Sequence, residues 1–258
     1  MNGIAGKHAV VTGAGRGIGC AIASDLARDG VRVTLASRTE VELQRVAEAI
    51  RDGGGTAQAC PTDVSRVEQI ESMFAKASEG FGPVDILINA AGVAPSAPLA
   101  KTSEEQWRAA IEVNLSGVFY AMRRALPEMI ERGFGRIVNV ASIAAKTGSP
   151  YTSAYTASKH GVLGLTRCAA LEVARAGVTV NAVCPGYVDT PMTDTSVARI
   201  AEKTGRDPAE IRKRIEASSP QGRMVSAEEV SALACYLCSD AARGINGQGI
   251  NVDGGTVP

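Results

Sequence analysis

Tyr155 and Lys159 stand four residues apart in Tyr155-Thr156-Ala157-Ser158-Lys159, with Ser142 thirteen residues upstream. On a helix this spacing puts phenol and ammonium on one face, about one turn apart, so that the cation acts on a phenol held beside it. Near the N-terminus, Thr12-Gly13-Ala14-Gly15-Arg16-Gly17-Ile18-Gly19 supplies a turn able to cradle phosphate. Together these residues describe hydride transfer. Reducing a ketone requires a proton donor at the oxygen as negative charge develops there, and an unperturbed tyrosine, with a pKa near about 10, is too weak an acid to cycle easily. The Lys159 ammonium, joined by the positive nicotinamide of an oxidised cofactor, favours the phenolate and lowers that pKa. Tyr155 then donates in one direction and accepts in the other. Ser142, at a strand end, is placed to hydrogen-bond the carbonyl oxygen and stabilise an oxyanion-like transition state.

Each residue alone also has a plain structural reading. The Tyr155 and Lys159 pair would serve as a solvated lysine above a half-buried tyrosine, Ser142 as a turn former, and Asn114 as a satisfied buried amide. Their occurrence in one chain with the glycine turn favours chemistry. His160 adjoins Lys159, but adjacent helical residues point about 100° apart, so it faces away from the pair. His160, and His8 at the start of the first strand, are read as structural.

The elements that must position these groups alternate. Strands are predicted at 9–12, 31–36, 57–60, 84–89, 136–140, 178–183 and 249–252, as short runs rich in β-branched residues. Amphipathic helices are predicted near 17–29, 39–52, 64–79, 103–131, 154–176 and 227–239. Start signals are Asp63 before Val64, Thr102-Ser103-Glu104-Glu105, and Ser226 before Ala227. Strand followed by helix, repeated, means parallel pairing and right-handed crossovers. The fold class is therefore α/β: a doubly wound, Rossmann-type, seven-stranded parallel sheet with helices on both faces, in one domain spanning 1–258. Its ligand site belongs beyond the carboxyl ends of the strands. There Gly17 to Cys20 open a helix whose free N–H groups and positive dipole end face any pyrophosphate. The turn does not follow G-x-G-x-x-G, because Ile18 and Cys20 occupy the third-glycine places; it follows T-G-x-x-x-G-x-G.

The 258 residues carry 27 Lys plus Arg against 27 Asp plus Glu, so no bulk field attracts nucleic acid or an acidic membrane. No apolar run reaches membrane-spanning length and the first residues lack a signal-peptide core, which makes a soluble cytoplasmic location the expectation. The six cysteines are read as small buried residues, Cys235-Tyr236-Leu237-Cys238 included, and no metal site is expected.

These motifs, from Thr12 to Gly255, resemble the short-chain dehydrogenase/reductase family. The matching positions are Thr12, Gly13, Gly17 and Gly19; Asp63 with Val64; Asn89-Ala90-Ala91-Gly92; Asn114; Ser142, Tyr155 and Lys159; Pro185-Gly186; and Thr190. Ala90 departs from the family's second asparagine, which bears on one backbone hydrogen bond near the cofactor. The resemblance implies that Ser142, Tyr155, Lys159 and Asn114 are catalytic. It implies that Asn114 kinks its helix and binds a water linking Lys159 to solvent, that Asp63 meets the adenine ring, and that Lys159 holds the cofactor ribose hydroxyls. The expected cofactor-binding set is Gly13, Arg16, Gly17, Ile18, Gly19, Ser37, Arg38, Asp63, Val64, Asn89, Ala90, Gly92, Tyr155, Lys159, Pro185, Gly186, Val188 and Thr190.

NAD-preferring relatives carry an acidic residue at the end of the second strand, where this chain has Ser37 followed by Arg38. An arginine grips a phosphate with paired donors, and Arg16 can reach the same phosphate from the other side, so NADP(H) is the expected cofactor, with NAD(H) possible. The alternative for Arg38 is a solvent-facing residue at a helix start. The stretch 187–219 reads as two short helices broken near Gly205 and Asp207-Pro208, a substrate lid. Its length, and the stretches Ala157 to Val162, Asn181 to Gly186 and Thr190 to Met192, are similar to aromatic polyketide ketoreductases. The lid cations Arg199, Lys203, Arg206, Arg212, Lys213 and Arg214 either meet a phosphopantetheine or coenzyme A phosphate or form a solvated face. The substrate implied is a 3-oxoacyl thioester on acyl carrier protein or coenzyme A, or a polyketide; the alternatives are a free cyclic, steroid or sugar alcohol, or a non-catalytic cofactor-sensing role. The family also implies a homotetramer, through the helices at 103–131 and 154–176 and the C-terminal Asp253-Gly254-Gly255.

Overall fold

Seven strands, β1 (His8–Thr12), β2 (Arg32–Ser37), β3 (Thr56–Pro61), β4 (Ile86–Asn89), β5 (Gly135–Val140), β6 (Val178–Pro185) and β7 (Gly249–Val252), form one sheet in the order β3-β2-β1-β4-β5-β6-β7, all neighbours parallel. This is a computed structural model, and it describes residues 3–257; the expected domain ends at 1 and 258 lie outside the described residues. The order runs outward in both directions from the β1–β4 pair, so the crevice at the switch point opens beyond Thr12 and Asn89, which are register partners.

Alternation along the strands feeds two cores. On one face Val11, Val33 and Leu35 pack with Ile22 and Leu26 of α1 (Gly17–Arg28), Leu43 of α2 (Glu40–Asp52) and Val230 and Leu237 of α9 (Ala227–Cys238). On the other, Val10, Leu87 and Ile137 pack with Phe74 of α3 (Val67–Phe81), Met122 and Met129 of α5 (Gly117–Arg132), and Val162 of α6 (Ser153–Glu172). Every predicted strand is present, within two residues at each end. α4 (Glu104–Ile111), α7 (Pro191–Thr204) and α8 (Pro208–Ala217) complete the helices, the last two being the expected lid pair, separated at Gly205 in the left-handed conformation.

Three helix expectations are corrected. The stretch 103–131 is not one α-helix: Glu112–Ser116 widens into a π-helical turn between α4 and α5, a device frequent at functional sites. The helix predicted near 64 begins at Val67, because the Asp63 carboxylate accepts from the backbone N–H and the hydroxyl of Ser65, a local turn that competes with helix. The helix predicted to 176 ends at Glu172. Ser103 and Ser226 do start helices, each in a reciprocal capping box with Gln106 and Glu229.

His8 is structural. Its Nδ1–H donates to the Gly82 carbonyl oxygen (2.8 Å), leaving Nε2 to accept from the Thr34 hydroxyl (2.9 Å), which fixes a neutral tautomer. His160 is exposed, with Nδ1 3.0 Å from the Thr156 carbonyl oxygen. All six cysteines are free thiols; burial pushes Cys235 up to about 12 and Cys238 up as well, which makes both poor metal ligands or redox groups. Among the described residues no cluster of His, Cys, Asp and Glu is arranged to hold a metal ion. Nor is any helix among them long and apolar enough to cross a membrane.

Candidate active site

The end of β5 and the first turns of α6 bring the three reactive side chains together. Ser142 follows β5 and accepts from the Ala144 N–H at 3.1 Å, starting a short turn. Tyr155 and Lys159 lie on one face of α6, and the Ser142 side chain is near enough to the Tyr155 hydroxyl to lower its pKa. Lys159 is buried, donates to the Val140 carbonyl oxygen at 2.8 Å, and places its nitrogen 5.7 Å from the centre of the Tyr155 ring.

The electrostatics differ from the expectation of an acidified phenol. Burial raises the Tyr155 pKa, the Ser142 hydrogen bond offsets part of that rise, and the nearby Tyr187 adds to it. Lys159 itself falls from 10.5 to about 8, because burial disfavours its charge. Its ammonium donates to the Val140 carbonyl oxygen, and burial is the largest influence on the phenol. The protein alone therefore holds a protonated phenol beside an amine poised near neutrality.

Asn114 sits within the π-helical turn, fully buried. Its amide donates to the Val93 carbonyl oxygen (2.9 Å) and the Ser158 hydroxyl (3.0 Å), and its oxygen accepts from the Val93 N–H (2.8 Å). The expected helix distortion is present, and the side chain clamps the loop after β4 to α6. Asn114 is a satisfied buried amide, the plain reading of the two. A Cβ built on Gly92 would lie 3.4 Å from the Asn114 oxygen and 3.9 Å from the Lys159 nitrogen.

A cleft of about 330 Å³ runs from that point along the carboxyl edge of the sheet. Of the expected cofactor residues, Gly13, Arg16, Gly17, Ile18 and Gly19 line it from the first turn, and Ser37 and Arg38 from β2. Asp63, Val64, Ala90, Gly92 and Thr190 line it from the other strand ends. Ala90 leaves the backbone well held: Thr12 Oγ1 accepts from the N–H of Ala90 (3.1 Å) and of Ala91 (3.3 Å). Pro185, Gly186 and Val188 do not line the cleft, and neither do Tyr155 and Lys159, which stand behind it on α6; Gly186 packs against Asp253 and Val188 is buried beside Val225. Asn89 also stands outside it, donating to Asn139 Oδ1 at 2.8 Å, whose own amide reaches Thr166 of α6 at 2.9 Å. A strand-end amide reads alike in sequence whether it faces a ligand or a neighbouring strand.

The cleft fits a dinucleotide. No side chain caps α1 and no acidic residue lies in its first turn, so its leading N–H groups are left for an anion. Glycine at 13 and 19 allows the turn to close: a Cβ on Gly13 would come within 2.7 Å of the Ala91 backbone, and one on Gly19 within 2.4 Å of the Gly13 carbonyl oxygen. Ser37 Oγ is buried without a hydrogen-bond partner, a donor awaiting a ligand oxygen.

Sequence reasoning missed several cleft residues, among them Glu42, Thr62, Val93 and Ser196. Glu42 has no motif around it; only the approach of α2 to the glycine turn places it there. The cations of α7 and α8 also find unforeseen partners. Arg199 donates to the Ala94 carbonyl oxygen (2.9 Å) and Lys203 to that of Ser96 (3.4 Å), while Arg212 spans Asp189, Asp194 and Glu216.

The family profile described as Enoyl-(Acyl carrier protein) reductase matches residues 13–257. The chain belongs to the short-chain dehydrogenase/reductase family, and it is an oxidoreductase that interconverts ketones and secondary alcohols. It is 41% identical over 249 residues to a Streptomyces coelicolor protein provisionally named a ketoacyl reductase (96% of this chain, 95% of the relative). It is 39% identical to the D-beta-hydroxybutyrate dehydrogenase of Rhizobium meliloti (96% and 98%) and 41% identical to the cis-4-hydroxycyclohexanecarboxylate dehydrogenase of Sinomonas cyclohexanicum (96% and 96%). A crystal structure of a point variant of actinorhodin polyketide ketoreductase with NADPH superimposes with a TM-score of 0.94 at 40% identity, covering 97% of each chain.

Proposed function

We propose that this protein is an NADP(H)-dependent reductase of a 3-oxoacyl thioester or polyketide ketone, with Tyr155, Ser142 and Lys159 in contact with the reacting groups and Asn114 as the residue that positions them. The observation that carries the reading is the buried Lys159, tied to the Val140 carbonyl beside the Tyr155 phenol, with Ser142 near the phenol oxygen. Bound NADPH supplies the hydride. Ser142 and Tyr155 hold the substrate oxygen between two hydroxyls, and Tyr155 gives it a proton as charge builds. Lys159 has three donors, of which the Val140 carbonyl takes one, leaving the others for cofactor ribose hydroxyls. A cationic neighbour arriving with the oxidised cofactor favours the phenolate and so supplies the pKa drop that the protein alone lacks.

The NADPH of the actinorhodin ketoreductase structure and the pairing of Ser37 with Arg38 support the cofactor; that protein and the ketoacyl-named Streptomyces coelicolor relative support the substrate class. The cis-4-hydroxycyclohexanecarboxylate dehydrogenase relative supports a second reading, oxidation of a free cyclic alcohol. Turnover of acetoacetyl-CoA against trans-1-decalone, each with NADPH and with NADH, separates the readings. Thioester reduction with a kcat/KM for NADPH at least tenfold above that for NADH is expected; no turnover of any thioester dismisses the first reading, and equal use of NADH dismisses the cofactor assignment. We assign 187–219 as the substrate lid, held down by the Arg199 and Lys203 contacts. A cytoplasmic homotetramer fits the exposed Trp107, Phe119 and Leu171 on α4, α5 and α6.

A further inference from the structure

The end of the cleft where Ser37 and Arg38 leave β2 carries more charge than the glycine turn and β2 suggest. Glu42, in the first turn of α2, reaches over the turn until Oε1 lies 3.8 Å from Arg16 Nη1. A Cβ on Gly15 would come within 2.9 Å of Glu42 Oε2 and 3.0 Å of the unpartnered Ser37 Oγ, so the carboxylate and the free hydroxyl crowd one point on the cleft wall. Across the cleft, Arg38 lies close enough to Asp63 to help hold that carboxyl down, after burial, which raises it, and the Ser65 hydrogen bonds, which lower it. Among the residues lining this end of the cleft, two guanidinium groups thus stand with two carboxylates before a ligand enters.

A 2′-phosphate brings close to two negative charges and seeks paired guanidinium donors. At Arg16 it meets Glu42, which already stands beside Nη1. The ion pair is loose: its distance is long for a charged hydrogen bond, and the Arg16 side chain is 62% exposed against 33% for Glu42. Exposed pairs of this kind are weak, so the carboxylate yields, yet afterwards it remains beside the phosphate. We propose that Glu42 is a specificity-determining residue that competes with the adenosine 2′-phosphate for Arg16 and thereby limits the preference for NADP(H) over NAD(H). The inference rests on the NADP(H) reading above.

Calorimetric titration with two fragments lacking nicotinamide, 2′-phosphoadenosine diphosphoribose and ADP-ribose, tests it without turnover. The proteins are wild type, Glu42→Gln, Arg16→Gln and the double variant. Glu42→Gln is expected to tighten the phosphorylated fragment about five- to tenfold while ADP-ribose changes less than twofold, and in the Arg16→Gln background the gain is expected to shrink below about twofold. Unchanged or weaker binding of the phosphorylated fragment by Glu42→Gln overturns the proposal, as does a full gain that persists without Arg16, which would mean direct repulsion. A wild type that binds ADP-ribose as tightly as its phosphorylated counterpart overturns the cofactor reading instead; a gain on Glu42→Gln in that case still supports the competition.

Discussion

Lys159 donates to the Val140 carbonyl oxygen at 2.8 Å, which fastens the second turn of α6 to the last residue of β5, two residues before Ser142. One hydrogen bond thus couples the amine, the phenol-bearing helix and the serine turn.

Replacing Tyr155 by Phe removes the proton donor and keeps the ring. The expected result is a fall in kcat of about 10²- to 10⁴-fold, with NADPH affinity within a few-fold of wild type and an unchanged melting temperature. Stopped-flow reduction, fluorescence titration and thermal melting measure the three quantities. Retention of wild-type kcat would remove Tyr155 from the chemistry.

Lys159 is cationic below its depressed pKa of about 8 and neutral above it. If the charge is what binds ribose hydroxyls and steadies the phenolate, kcat/KM for ketone reduction falls as pH rises through about 8, since that parameter reports groups of the free enzyme. A profile flat to pH 9.5 would count against this role for the amine.

Gly19→Ala would put a Cβ 2.4 Å from the Gly13 carbonyl oxygen, a backbone atom with little room to yield. The turn should open, costing about 1–3 kcal/mol of stability and most of the cofactor affinity. Thermal melting with and without NADPH checks both effects; an unshifted melting point would show that the turn is not closed as described.

His8 titrates in the core. Burial lowers its pKa below the ordinary 6.5, so the folded chain prefers the neutral ring between Gly82 and Thr34. Below 6.5 the unfolded chain binds the proton more readily than the folded one, so the contribution of His8 is fully present above that pH and is lost as pH falls through 6.5 toward the folded value. His8→Asn, which keeps a donor and an acceptor, should flatten the loss of melting temperature between pH 7 and 5.5. Equal slopes for the two proteins would refute the assignment.

What the amino-acid order determined by itself was local: seven strands from β-branched alternation, capping boxes at Ser103 and Ser226, the helix-opening glycines, and the Tyr155 and Lys159 spacing that one helical turn converts into a shared face. Backbone sterics and nearest-neighbour hydrogen bonds govern such features, and a sequence displays them. Asp63 shows the limit even there, since its carboxylate serves a turn as readily as a helix cap. Only the tertiary structure decided that Asn89 turns to Asn139, that Glu42 crosses to Arg16, that Arg199 and Lys203 fasten α7 to the loop after β4, and that the phenol is raised by burial. These contacts join residues distant along the chain, and desolvation depends on everything packed around a group, so neither is written in the spacing of neighbours.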